Sequence, residues 1–203
     1  MKKIYLILDW DGVIFERSKH LLYFPYRYFS ILNSTIIHSI KKYGINGINP
    51  KNLIKEFLSL EKLEKDEIIK YTDYGLLNIM YVCYKKKFNL YIISSSNEIL
   101  IRDTINFYKN LLKKHDFDLE VEIYASNSRK SLNSKDKENL VKNLKKDGIT
   151  LYLGDSYNDV LACKQSDLCF LKKSLVYYIS PKKPLAKIKI RKLKDMAKLL
   201  YKI

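Results

Sequence analysis

Five short apolar runs, Ile4–Leu8, Leu90–Ile93, Val121–Tyr124, Thr150–Leu153 and Leu168–Phe170, alternate along the chain with stretches whose apolar residues recur at helical spacing. Parallel strands need crossover connections, and helices supply them, so this alternation predicts an α/β fold with a Rossmann-like parallel sheet. The first two runs lie much further apart than one crossover requires, so an insertion is expected between them. It reads as helical. Apolar and aromatic residues at helical spacing cover Phe24 to Tyr43, and Gly44, Gly47 and Pro50 then break the pattern. Asn49-Pro50 fits an N-cap followed by proline at the first helical position, predicting a short helix to Leu60. A third helix is expected from about Asp66 to Lys87. The expected division is therefore a core of residues 1–16 and 88–203 with a helical cap, 17–87, inserted after the first strand.

The first run ends in Asp9-Trp10-Asp11-Gly12, two carboxylates separated by one residue at the mouth of a buried strand. Asp is disfavoured in strands and rarely buried unpaired, so the pair needs compensation. A hard divalent cation supplies it most simply; a loop with both acids facing water is the other reading. The second run leads into Ser94-Ser95-Ser96-Asn97, hydroxyls next to a helix start. That is a ready anion site, although in isolation ordinary N-capping by Ser96 or Asn97 is the favoured reading. A later helix carries Lys135 and Lys137 in its first turn, where a cation opposes the helix dipole unless an anion sits nearby. The fourth run is followed by Gly154-Asp155, and Asp159 comes four residues on, a spacing that returns it to the same side of a starting helix.

Composition narrows the functional classes. With 203 residues and 47% hydrophobic content, the chain can bury a sizeable core and is not disordered. No apolar run reaches the roughly 18 residues of a membrane span, and Asp9 cuts the first run short of a signal peptide, so a cytoplasmic protein is expected. Cys83, Cys163 and Cys169 show no paired spacing, which predicts buried thiols and neither a disulfide framework nor a zinc site. The net charge of +16 is spread along the whole chain. Its strongest local concentration is the tail Pro181 to Ile203, where nine lysines and arginines face the single acid Asp195. The tail also fits a short strand followed by an amphipathic helix, Leu193 to Tyr201, with Leu193, Met196, Ala197 and Leu200 turned inward.

In an open parallel sheet, ligands bind beyond the carboxyl ends of the strands where strand order reverses. Asp9, Asp11, Ser94, the helix-start lysine, Asp155 and Asp159 all belong to such ends. Their order, DxDG, then a hydrophobic strand with Ser, then Lys, then GDxxxD, resembles the haloacid dehalogenase superfamily of phosphatases and phosphomutases. The segments 151–162 and 166–170 look most like phosphoserine phosphatases and the enolase-phosphatases of methionine salvage, and 137–144 resembles the region of their catalytic lysine. By that match Lys137 is chosen over Lys135 and Lys130.

The resemblance implies that Asp9 is a nucleophile forming an aspartyl-phosphate and that Asp11 is the general acid and base. It implies Mg²⁺ held by Asp9, the backbone carbonyl of Asp11 and Asp155, with Asp159 bound directly or through water. Ser94, Ser95 and Lys137 would hold the phosphoryl oxygens. The expected activity is a Mg²⁺-dependent phosphatase acting on a small phosphorylated metabolite, with no membrane partner. The alternatives are a phosphomutase of the same fold, or a basic nucleic-acid-binding protein or polynucleotide-end phosphatase, for which nucleic acid is the less favoured partner. Asp11 separates this reading from the dehalogenases, which lack the second acid.

Overall fold

The computed structural model describes residues 2–16, 25–43, 65–113, 117–126, 132–174, 186 and 188–203. Strand β1 (Lys3–Asp9) is followed by helices α1 (Pro25–Tyr43), α2 (Lys65–Lys70) and α3 (Gly75–Lys86). Next come β2 (Asn89–Asn97), α4 (Glu98–Lys113), β3 (Val121–Ser126), α5 (Ser134–Asp147) and β4 (Gly148–Gly154). A single 3-10 turn at Tyr157–Asp159 leads into α6 (Val160–Gln165), β5 (Leu168–Lys172), β6 (Ile188–Ile190) and α7 (Leu193–Tyr201). The sheet has six strands in the order β3-β2-β1-β4-β5-β6, and every pairing is parallel. Strand order therefore reverses at β1, between β2 and β4.

Period-two alternation along β1 sorts its side chains to the two faces of the sheet. Leu6 and Leu8 join Leu90, Ile92, Leu151, Leu153 and Phe170 in a core shared with α3, α4 and α7. Tyr5 and Ile7 face the other way and pack with Tyr152, Val141 of α5 and Ala162 of α6. The result is three layers, helix on sheet on helix. Asp9 continues the Tyr5–Ile7 row, so it emerges on the side covered by α5 and α6. No helix among the described residues is long and apolar enough to cross a membrane.

All five anticipated strands form, and the tail folds as the strand and amphipathic helix expected of it, with Leu193, Met196, Ala197 and Leu200 buried. The third helix differs, because it is two helices. Thr72 leaves the helical path to bridge Phe15, and the Asp73 carboxylate accepts the Gly75 amide at 2.9 Å, which starts α3 afresh. The helix anticipated over 49–60 lies outside the described residues. Cys163 and Cys169 are joined by a disulfide between α6 and β5, not held as thiols. The turn through Ser166 and Asp167 brings their Cα atoms to 5.3 Å, within ordinary disulfide reach, a proximity that sequence spacing alone does not reveal. Cys83 remains a buried thiol, and burial pushes it up to about 12.

One polar node ties the layers together beneath the sheet mouth. Lys172, only 2% exposed at the end of β5, donates to the Val13 carbonyl at 2.6 Å and to Asp73 Oδ2 at 2.9 Å. Asp73 Oδ2 also accepts the amide of Leu193 at 3.1 Å, so one carboxylate joins α3, α7 and β5. Burial works to raise the Asp73 carboxyl, but the Lys172 ammonium outweighs it and holds it below the usual carboxylate range. Removing the cation should leave a buried carboxylate and a carbonyl without their donor. Lys172→Ala is expected to cost about 3 kcal/mol or more of unfolding free energy in urea titrations. Lys172→Met combined with Asp73→Leu should cost clearly less than the sum of the two single changes, and strict additivity would show that the pair is not coupled.

Candidate active site

The register of the sheet brings the acids together. Asp9 pairs with Ile93 in β2, and Leu8 pairs with Leu153 in β4, so Ser94 and Asp155 each lie one step past the row that contains Asp9. Chain continuity thus puts Asp9, Ser94 and Asp155 side by side at the switch point of the sheet. All three are buried. The segment after Asp9 then closes a tight turn, with the Ile14 and Phe15 amides both bonded to the Trp10 carbonyl at 2.8 and 2.9 Å. Gly12 sits in that turn at φ +76°, and a Cβ there would lie 1.7 Å from Asp155 Oδ2. Only glycine satisfies both conditions, so the loop after β1 presses against the loop after β4.

Three carboxylates gather in this space. Asp9, Asp155 and Asp159 each offer an oxygen, and those oxygens all lie within 4.8 Å of one another. Lys137, which α5 carries in its first turn, reaches into the group from the other side. Its ammonium donates to Asp9 Oδ1 at 2.8 Å and to Asp159 Oδ1 at 2.9 Å. The first turn of α5 is fixed by a capping box in which Asn133 and Asp136 exchange backbone bonds, which aims Lys137 inward. Lys135 points elsewhere and pairs with Glu138 at 2.8 Å. Lys130 lies outside the described residues.

The two members of the GDxxxD pair differ in surroundings. Asp159 is saturated with donors: Oδ1 accepts Lys137 and the Tyr152 hydroxyl, at 2.9 and 2.7 Å. Its Oδ2 accepts the Asp155 and Ser156 amides and the Ser156 hydroxyl, each at 3.1 Å. Gly154 makes room for this arrangement, since a Cβ there would stand 2.5 Å from the Asp159 side chain. Asp155 accepts the Ser174 hydroxyl and has no ion pair of its own among the described residues. Asp9 accepts the Trp10 amide at 2.8 Å on the same Oδ1 that Lys137 holds. Asp11 is half-buried, and its Oδ2 accepts the Ser96 hydroxyl. Ser94 Oγ accepts the Ser96 amide at 3.0 Å, and Ser95 is half-buried at the register shift between β2 and β3.

Electrostatics follow from this crowding. Burial and the neighbouring Asp159 raise Asp9 well above the carboxylate range, against the opposing pull of Lys137. Burial and Asp159 likewise push Asp155 up to about 7. Burial also works to raise Asp159, but Lys137 outweighs it and the carboxyl is lowered. For Lys137, burial works to lower the ammonium, yet Asp159 and Asp9 together raise it. Among the described residues Lys137 stands alone against these three acids. Protons on the raised carboxyls compete with a bound cation, and an all-oxygen set suits a hard ion such as Mg²⁺ or Mn²⁺.

Four contributors carried no signal of their own in the sequence. Tyr152 reads as a core strand residue, Ser174 as a polar residue after the last core strand, and Ser96 as one of a hydroxyl cluster or a helix N-cap. Gly12 reads as part of the DxDG motif, but its contact with Asp155 depends on the tertiary fold. A search for buried hydroxyls at strand ends could have found Tyr152, since tyrosine in a fully buried strand needs a partner.

An all-parallel α/β sheet with an acidic centre at its switch point defines a Rossmann-like class of protein. Within that class the fold is similar to that of solved phosphoserine phosphatases and a HAD family hydrolase. No protein-family model matches the chain, and no curated protein matches it at sequence level. Solved structures do. A phosphoserine phosphatase from T. onnurineus aligns at TM-score 0.57 and 16% identity, covering 100% of this chain and 96% of that one. A phospho-aspartyl intermediate analogue of phosphoserine phosphatase aligns at 0.57 and 16%, covering 98% and 99%. A HAD family hydrolase from Salmonella enterica serovar Typhi aligns at 0.60 and 13%, covering 97% and 71%.

The raised Asp155 carboxyl gives a pH-dependent test. Its folded value, about 7, lies above the ordinary 3.8. Its contribution to stability is therefore full at low pH and is lost as pH rises through about 7. A divalent cation must compete with protons for the cluster. With EDTA as reference, Mg²⁺ should raise the melting temperature more at about pH 8 than at about pH 5.5. Asp155→Asn should raise the melting temperature in EDTA at about pH 8 and should abolish the Mg²⁺ response. An equal Mg²⁺ response at both pH values would remove the proton competition.

Proposed function

We propose that the protein is a Mg²⁺-dependent phosphatase that hydrolyses a small phosphorylated metabolite through an aspartyl-phosphate on Asp9. The observation that carries the reading is the meeting of Asp9, Asp155 and Lys137 at the switch point, with acidic oxygens within 4.8 Å and lysine contacts of 2.8 and 2.9 Å. The likeness in fold to phosphoserine phosphatases supports it. The donor set fits the ion: Asp9, Asp155 and the backbone carbonyl of Asp11 would hold Mg²⁺. Asp159 would join only through water, because both its oxygens already accept donors. When bound, the ion neutralises phosphoryl charge and the acids around it.

The remaining chemistry falls to the chain. Asp9 Oδ1 is anchored by Lys137 and the Trp10 amide, while Oδ2 takes no donor among the described residues. One anchored and one unengaged oxygen is what a nucleophile in fixed orientation requires. Lys137 lowers the repulsion between the Asp9 carboxylate and a phosphoryl dianion, and together with Ser94 and Ser95 it would grip the phosphoryl oxygens. Asp11 stands next to the nucleophile and is held by Ser96, from where it would protonate the leaving alcohol and later deprotonate water. The insertion at 17–87 would act as the cap that selects the leaving group, with α3 as the root that seats it on the core.

Hydrolysis of p-nitrophenyl phosphate tests the reading. Activity should appear with Mg²⁺ and vanish in EDTA. Asp9→Asn should lower it by at least about 10³-fold. Asp11→Asn should lower it by about 10²–10⁴-fold, with labelled phosphate accumulating on the protein because its hydrolysis is slowed. Full activity in Asp9→Asn would sink the mechanism.

A further inference from the structure

The two helices that cover one end of the sheet expose matching stripes. On α3 and its leading residue, Tyr74, Asn78, Tyr81 and Lys85 follow each other at helical spacing and all face solvent. On α7 the corresponding stripe is Lys194, Lys198 and Tyr201. The helices run side by side in the same direction. Gly75, at the start of α3, lies so close to Lys194 that a Cβ there would stand 2.4 Å from its amide nitrogen, and Lys86, at the end of α3, holds its ammonium 5.4 Å from the Tyr201 ring centre. Between them Asn78, Tyr81, Lys194, Lys198 and Tyr201 line a hollow of about 350 Å³. A second hollow, of about 590 Å³, continues from Lys194 past Lys192, Tyr74 and Lys70.

The residue types in this groove are unusual for a bare surface. Tyr74 is 66% exposed, Tyr201 59% and Tyr81 46%. Lysines stand among the rings, with Lys85 at 5.7 Å from the centres of both Tyr81 and Tyr84. The carboxylates lining it are Glu16 and Asp73, and both face the buried Lys172 ammonium, at 3.7 and 2.9 Å. The groove is therefore strongly positive with aromatic faces open to solvent. None of Asp9, Asp11, Ser94, Lys137, Asp155 or Asp159 lines it.

We infer that this groove is a binding platform for single-stranded nucleic acid. A sugar-phosphate backbone supplies charge along a line, and unpaired bases supply flat faces, so one strand satisfies lysines and tyrosines at once. Acidic peptides offer the charge without the rings. Duplex DNA offers the charge with its base faces hidden. The α3 stripe from Tyr74 to Lys85 runs roughly 16 Å, the length of about three nucleotides of an extended single strand. Binding here is separate from the reaction proposed at Asp9 and does not depend on it.

Fluorescence anisotropy of a fluorescein-labelled oligothymidylate, titrated with the full chain across a range of NaCl concentrations, tests the inference. The expected result is binding that weakens steeply with salt, falls about tenfold or more in Tyr81→Ala and again in Tyr201→Ala, and is unchanged in Asp9→Asn. Lys194→Ala with Lys198→Ala should flatten the salt slope by about 1.4, the loss of two phosphate contacts on a single strand. Circular dichroism of each variant checks that the fold is kept. Four results would overturn the inference: tyrosine variants that bind like the parent, polyglutamate competing as well as oligothymidylate at equal charge, preference for duplex of the same length, or loss of binding in Asp9→Asn. Binding to vesicles of anionic lipid with none to the oligonucleotide would assign the groove to a membrane surface and overturn it equally.

Discussion

Charge crowding at the mouth of β1 is the constraint that organises the molecule. Three buried carboxylates share one ammonium, and the like charges raise Asp9 and Asp155 while Lys137 secures Asp159. Such a cluster costs stability in any fold, because each acid forfeits hydration and gains repulsion. It persists only where the surrounding backbone leaves it no alternative arrangement. The parallel sheet does this by ending β1 and β4 side by side, with Gly12 lacking the Cβ that would hold the two loops apart and Gly154 lacking the one that would displace Asp159 within its own loop. The hydrophobic layers on either face then fix the strands, so the strain is borne by the whole core.

A second buried lysine shows what a settled version of the same problem looks like. Lys172 also faces two acids, Asp73 and Glu16, but there the backbone amides of Gly75 and Leu193 share the load on Asp73. Both oxygens of Asp73 thereby have donors. At Lys137 the amides and hydroxyls go to Asp159, and among the described residues Asp155 is left with the Ser174 hydroxyl. Asp155 shares its acidic cluster with Asp9. Lys172 is nevertheless linked to that cluster, since its bond to the Val13 carbonyl pins the turn that carries Asp11 and Gly12. One lysine meets a carboxylate supplied with donors on both oxygens, and the other meets acids whose charges crowd one another.

Much of this was legible in the chain because it is written in local pattern. The strands were readable from short apolar runs bounded by polar residues, and the tail helix from four inward positions at helical spacing. Strand-end acids stood out because Asp after a buried strand violates the ordinary preference for apolar residues there. Lys137 was selected over Lys135 by resemblance, and the capping box supplies the physical reason that the two diverge: it fixes which face of the first turn looks inward. What stayed hidden depends on distant segments meeting. Thr72 leaves its helix because Phe15 waits for it. Cys163 and Cys169 join because a turn folds α6 back onto β5. Tyr152 serves the acidic centre because Asp159 curls back over β4, and no window of sequence around Tyr152 contains that fact.

The same distinction explains how a chain only 16% identical to a phosphoserine phosphatase keeps its fold over the full length. Burial asks for apolar volume at alternate strand positions, and many residue types meet that demand. Register asks for strands of matched length and direction, which crossover helices of varied sequence provide. Only a few positions are exacting, namely those where two loops touch or where a charge must have its partner. Gly12, Gly154, Lys137 and Asp159 are of this kind here, since each is fixed by a contact under 3 Å or by a backbone angle closed to other residues. A fold held by broad demands in its layers and narrow ones at its mouth can drift in most of its sequence while the geometry of the site stays in place.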